Sequence, residues 1–252
     1  MQDIYVGDTE KGFPLVLVHG FLGSSEMWKP QIDYFKKKYR VITPALPGFG
    51  ESYKAKSKNS IKDMAKTVLD ILEEKKIKNF FLLGHSMGGM IVQEMAIIAS
   101  EKIIKLICYG TGPIGNIPDR FETMDESRKR LKINGLNVTV NRIAKKWFVE
   151  GEKSKYFYLC DKAGKLTSEE AADNALVAMK NWNGLNNLKN IKNPTLVVWG
   201  DQDKSYNFSQ IDTLNKNIAN SELKILNGCS HNAHLEKSDD FNKYVADFLE
   251  QN

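Results

Sequence analysis

Six short apolar runs are spaced along the chain, at residues 15–19, 40–43, 80–83, 103–109, 195–199 and 223–226, and longer stretches of helical period lie between them. That alternation leaves few folds open, and it predicts an α/β architecture: a mostly parallel, doubly wound sheet with helices on both faces. The runs are largely apolar at consecutive positions, as strands covered on both sides should be. Ile61, Met64, Ala65, Val68, Leu69 and Leu72 recur at helical spacing behind Ser60 and Asp63, which stand as an N-cap and its N3 partner. Phe241, Tyr244, Val245, Phe248 and Leu249 repeat the period after Ser238-Asp239-Asp240 and predict a closing helix docked on the sheet. Residues 115–184 break the rhythm. They are helical in character and aromatic-rich, and far exceed the about 10 to 15 residues that one crossover needs. They read as an inserted helical cap, with residues 1–114 and 185–252 forming the core.

Composition narrows the setting. A chain of 252 residues with 42% hydrophobic content excludes the disordered and fibrous classes. Its most apolar stretch, 87–99, is interrupted by Gln93 and Glu94 and falls short of the about 20 residues a membrane span requires, so no membrane association is expected. Met1-Gln2-Asp3-Ile4 lacks the basic and apolar regions of a secretory signal, and a cytoplasmic setting is expected. Cys108, Cys160 and Cys229 form no C-x-x-C pair and read as reduced, structural thiols. The net charge of +5 is modest and no nucleic-acid motif accompanies it, so nucleic acid is not an expected partner.

Gly84-His85-Ser86-Met87-Gly88 follows the apolar run 80–83 and opens a helical stretch, the strand-turn-helix setting in which G-x-S-x-G presents a nucleophilic serine. A free serine hydroxyl is a weak nucleophile and needs a base, so Ser86 predicts a histidine and a carboxylate further along. Of the four histidines, His85 belongs to the turn itself and His19 precedes the serine. His231 follows the loop after the last apolar run, where a side chain reaches the top of a sheet, and is favoured over His234, which reads as a packing residue near the final helix. The carboxylate should follow a strand and precede the histidine; Gly200-Asp201-Gln202-Asp203 offers Asp201 and Asp203, either of which could instead be a turn residue. Oxyanion donors are expected from the amide of Met87, next after the serine, and from Phe21 in His19-Gly20-Phe21-Leu22-Gly23.

These motifs, with Leu46-Pro47-Gly48-Phe49-Gly50-Glu51-Ser52, the run 194–203 and His231 through His234-Leu235-Glu236-Lys237, resemble the α/β-hydrolase family over nearly the whole chain. The resemblance is nearest to its esterase, enol-lactonase and carbon–carbon hydrolase branch, whose members carry a helical cap where residues 115–184 fall. It implies Asp203 rather than Asp201, since the acid there usually stands three residues after the glycine ending its strand, and it supports His231. Ala45 stands where aspartate is common and Ser230 where glycine is frequent. Asn232 occupies a position often tryptophan in carbon–carbon hydrolases, which weighs against that chemistry, and a serine at 86 argues against relatives that attack through a carboxylate.

Arg128, Lys129, Arg130, Lys132, Arg142, Lys145 and Lys146 crowd one stretch of the cap with no acidic residue among them. Such clusters are most often solvated faces; the sharper reading is recruitment of an acidic partner, such as an acyl carrier protein bearing the ester, as pimeloyl carrier-protein methyl esterases of the family do. Trp147, Phe148, Tyr156, Phe157, Tyr158 and Trp182 could line an apolar pocket or pack cap helices. The expectation is a serine hydrolase, monomeric or homodimeric, that cleaves a small to medium ester or lactone through an acyl-enzyme and needs no metal or organic cofactor. The alternatives are a carrier-protein ester esterase, a carbon–carbon bond hydrolase, and a receptor that keeps the triad with little turnover.

Overall fold

Strands that are apolar on both faces need helices above and below, and the computed structural model, which describes residues 4–117 and 121–251, has that arrangement. In chain order the strands are β1 (Val6–Asp8), β2 (Phe13–Val18), β3 (Tyr39–Pro44), β4 (Phe80–His85), β5 (Ile103–Tyr109), β6 (Thr195–Gly200) and β7 (Ser221–Leu226). The helices are α1 (Lys29–Phe35), α2 (Ile61–Glu74), α3 (Met87–Ile98), α4 (Met124–Ala144), α5 (Phe157–Lys165), α6 (Glu169–Asn181), α7 (Phe208–Asn217), α8 (Ala233–Glu236) and α9 (Ser238–Glu250).

The sheet order is β1-β3-β2-β4-β5-β6-β7, with β1 antiparallel to β3 and every other pairing parallel. Each apolar run became a strand. β1 was not expected: three residues are too few to show a period. Successive residues of β2 face opposite ways, Val16 and Val18 packing with the α2 and α3 residues Val68, Met90 and Val92, while Leu15 and Leu17 join Phe35, Phe241 and Val245 of α1 and α9. Ser60 caps α2, its hydroxyl accepting from the Asp63 amide at 3.0 Å. At the other end of the chain Lys105, nearly buried on β5, donates to the carbonyls of Phe248 (2.7 Å) and Gln251 (2.6 Å) and so satisfies the open end of α9.

This topology decides where a site can form. β2 and β4 lie side by side, Val18 opposite Gly84, but the chain leaves β2 toward β3 and leaves β4 toward β5. The loops after β2 and β4 therefore part around a crevice at the carboxyl edge of the sheet. The loops after β6 and β7 emerge at the same edge because those strands are parallel to β4.

Between β5 and β6 the chain makes a long helical excursion through α4, α5 and α6. Its two ends are laced together by Gly115 N–H to the Trp182 carbonyl (3.1 Å) and Gly184 N–H to the Pro113 carbonyl (2.8 Å). α4 is two helices end to end, broken at Gly135 (φ 74°, ψ 172°). Residues 118–120 of the expected cap and 1–3 of the N-terminal reading lie outside the described residues. No helix among the described residues is long and apolar enough to cross a membrane. All three cysteines are buried and unpaired, and burial pushes the Cys108 thiol up to about 12 and Cys229 to about 11.

Candidate active site

Ser86 sits between β4 and α3 with φ 56° and ψ −117°, a conformation that costs a side-chain-bearing residue about 1–3 kcal/mol. The flanking glycines make so sharp a turn possible. A Cβ at position 84 would lie 2.2 Å from the Gly88 carbonyl oxygen, and one at 88 would lie 2.2 Å from that of Val18. The turn is locked by Ser86 N–H to the Tyr109 carbonyl (2.9 Å) and by the Thr111 hydroxyl to the Ser86 carbonyl (2.8 Å).

On the loops after β6 and β7, the Nδ1–H of His231 donates to Asp203 Oδ2 at 2.8 Å, with both side chains almost wholly buried, 2% and 0% exposed. The other carboxylate oxygen of Asp203 accepts from the amides of Ser205 (2.6 Å) and Tyr206 (3.3 Å). With its proton on Nδ1, a neutral His231 keeps Nε2 as a free acceptor. Asp201 is spent elsewhere, holding the Gly228 amide of the β7 turn at 2.6 Å.

The ring of His231 lies over Gly110: a Cβ there would meet its Nδ1 at 3.4 Å and its Cε1 at 3.5 Å. Gly110 directly follows the residue whose carbonyl holds Ser86 N–H, so imidazole and serine share one patch of backbone. Among the described residues no hydrogen bond yet joins the Ser86 hydroxyl to the ring; such contacts commonly tighten only with substrate bound. Ser86 is 8% exposed.

Three aromatic groups hold His231 that spacing along the chain did not single out for the task. Its carbonyl accepts from the Tyr109 hydroxyl (2.7 Å) and from His85 Nε2–H (3.0 Å), and Tyr206 stacks on its ring at 5.8 Å and 18°. Tyr109 ends a strand at the carboxyl edge, the one sequence signal that marks it. His234 lies in α8, just before the final helix, packed on Trp28 and against the Tyr109 hydroxyl. Burial disfavours its imidazolium and lowers it to about 3, which suits a packing residue and not a base.

The segment 19–23 comes up beside the serine: a Cβ on Gly20 would stand 2.9 Å from Ser86 Cβ. His19 sets that loop, its Nδ1–H donating to the Gly20 carbonyl (2.8 Å) and its Nε2 accepting from Leu46 N–H (2.9 Å). Burial keeps it neutral, lowering it to about 4. The amides of Phe21 and Met87 have no acceptor among the described residues, the condition expected of donors reserved for a developing oxyanion.

Of the aromatics in the β5–β6 excursion, Trp147 reaches the site, 6.0 Å from the His231 ring. Phe148 packs on Phe157, Trp182 donates to Glu94, and Tyr158 is exposed. Four of the seven basic residues are paired from outside their own segment, by three carboxylates. Arg128 pairs with Asp173 (2.7 Å), Arg142 and more distantly Arg130 with buried Glu122, and Lys145 with Glu152 (2.7 Å). A groove of about 790 Å³ nevertheless gathers Arg142, Lys145, Lys146, Lys165 and Lys204 beside the loop that carries Asp203.

Residues 14–238 match the family model described as alpha/beta hydrolase fold. The pimeloyl-[acyl-carrier protein] methyl ester esterase of Legionella pneumophila (strain Corby) is 28% identical, with 98% of this chain and 100% of that protein covered. A monoacylglycerol lipase of Homo sapiens is 25% identical over 93% of this chain and 74% of its own. Among solved structures the enol-lactonase from Burkholderia xenovorans LB400 superposes with a TM-score of 0.90 at 22% identity, covering 98% of this chain and 96% of that one.

Proposed function

The chain belongs to the α/β-hydrolase family, and on that premise we propose that it is a serine hydrolase of carboxylic esters or lactones, with Ser86 as nucleophile, His231 as base and Asp203 as the carboxylate that orients it. The observation that carries this reading is the 2.8 Å contact from His231 Nδ1 to Asp203, on a ring packed over the backbone that anchors Ser86. Ser86 Oγ attacks the carbonyl carbon while His231 Nε2 takes its proton. The oxyanion is received by the amides of Phe21 and Met87. His231 then protonates the departing alcohol, and water, activated by the same ring, releases the acid and restores the serine. The excursion 115–184 acts as the cap over an apolar acyl site, its laced neck at 113–115 and 182–184 marking the boundary with the core. Three unpaired thiols agree with a cytoplasmic setting.

Ser86→Ala should abolish turnover of a short p-nitrophenyl ester with the fold intact, and retained activity would remove the nucleophile assignment. Labelling of Ser86 by a fluorophosphonate together with multiple turnovers separates an enzyme from a receptor. Asn232, buried and donating to Cys160 Sγ at 3.2 Å, keeps an ester or lactone ahead of a carbon–carbon bond as substrate.

A second reading, an ester carried on an acidic acyl carrier protein, is favoured by the basic groove and by the Legionella relative. Lys129, Lys132 and Lys146 have no ion-pair partner among the described residues, and Lys204 opens the groove next to Asp203. Turnover of a carrier-protein ester that ignores salt and survives charge reversal of Lys129 and Lys132 would eliminate this reading.

A further inference from the structure

The cap is sewn to the histidine loop on both sides of His231. The Ser230 hydroxyl is shared between the carbonyls of Lys146 and Gln202 (3.3 Å each), and the Asn232 amide donates to the Trp147 carbonyl (3.0 Å). One side chain closes the seam: Glu236 of α8 accepts from the cap amide of Val149 at one oxygen (2.7 Å) and from the Ser230 amide at the other (2.6 Å). These are among the shortest contacts in the region, and both join an ionised acceptor to a main-chain donor, the stronger class of hydrogen bond.

We propose that Glu236 is a positioning residue whose carboxylate ties cap segment 146–149 to the residue preceding His231, so that the cap helps to set the imidazole. The proposal rests on the reading of His231 as the base. On its amino side the loop is held to the β6 loop, by Asp201 at the Gly228 amide (2.6 Å) and by the Gln202 amide at the Cys229 carbonyl (2.9 Å), and Glu236 adds the restraint toward the cap. Position 230 carries serine where the family often has glycine, and its hydroxyl lies within reach of the Lys146 and Gln202 carbonyls. Burial raises the Glu236 carboxyl, and the Val149 and Ser230 amides work against that shift, as expected of a desolvated carboxylate held for the two donors it receives. Trp147, carried on the same strap, is thereby held near the His231 ring. This edge of the cap is thus a fixed part of the site.

The test compares Glu236→Ala and Glu236→Gln with the wild type by ester kinetics and by NMR of the ¹⁵N-labelled histidine rings. Glu236→Ala should lose roughly ten- to a hundredfold in kcat with little change in KM, since small misplacements of a reacting group cost that much. The His231 Nδ1–H signal should shift or broaden. Glu236→Gln keeps one acceptor and should fall between. Unchanged kcat with an unchanged ring signal, accompanied only by a lower Tm, would overturn the proposal, as would lost activity with an unperturbed ring signal. A wild-type protein that turns over no ester would defeat the proposed function alone; the ring signal would still decide whether Glu236 positions His231.

Discussion

Tyr109 donates its hydroxyl to the main-chain carbonyl of His231 at 2.7 Å, across 122 residues of sequence. The same oxygen accepts from the His234 amide at 3.1 Å and lies 3.1 Å from its Nδ1. One phenol at the end of β5 therefore organises the loop that carries His231. Tyr109→Phe should strand these buried groups and cost about 1–3 kcal/mol of stability. It should also lower kcat while KM moves little; a variant with native kcat would show that the remaining contacts place the ring without the phenol.

The two aspartates after β6 should separate cleanly. Asp203→Asn removes the acceptor that fixes the Nδ1–H tautomer, and kcat should fall by about 10³ to 10⁴ with the fold retained. Asp201→Asn loosens the Gly228 turn and should appear in Tm, with kcat within about threefold of wild type. Comparable kcat losses in both would mean that the carboxylate has been misassigned.

Acid should destabilise the fold before the carboxylates are titrated. Burial lowers His19 to about 4, His234 to about 3 and His85 well below its ordinary 6.5. Each of these groups binds its proton in the unfolded chain first. Their contribution is fully present above 6.5 and is lost as pH falls from there toward 4, by up to about 1.4 kcal/mol per histidine per pH unit. Tm should be level above neutrality and decline through that window. A flat Tm down to pH 4 would mean that the rings are solvated. Asp8, held well below the usual carboxylate range by Arg40, contributes above the ordinary carboxylate pKa and fails only at lower pH.

Lys105 offers a control far from the chemistry. Its ammonium closes the carbonyl end of α9, so Lys105→Met should destabilise the protein by about 1–3 kcal/mol through unmet carbonyls. Ester turnover per folded molecule should be unchanged; lost turnover would couple the last helix to the site.

Much of this was legible in the residues. Hydrophobic period reports burial directly, so β2 to β7, α2 and α9 could be read from the pattern of apolar residues. The Ser60 cap could be read as well, because it depends on neighbours three residues apart. Ser86 was legible because a strained turn needs glycines at fixed offsets. β1 was not, being too short to have a period. The pairing of the basic stretch in the cap was not legible for a different reason: Asp173, Glu122 and Glu152, which pair with four of its seven cations, lie outside the run, and ion pairing ignores chain order.

Residue type and spacing alone determined strands β2 to β7, the serine turn and a short slate of candidates for its partners. Whether Asp203 or Asp201 faces the imidazole, and that Tyr109, His85, Tyr206 and Glu236 converge on its loop, was decided only when parallel strands brought their carboxyl ends to one edge. Local order depends on neighbours a few residues away and is written in the chain. A contact between residues 28, 122 or 146 positions apart depends on the register of strands and the packing of loops, which no local pattern encodes.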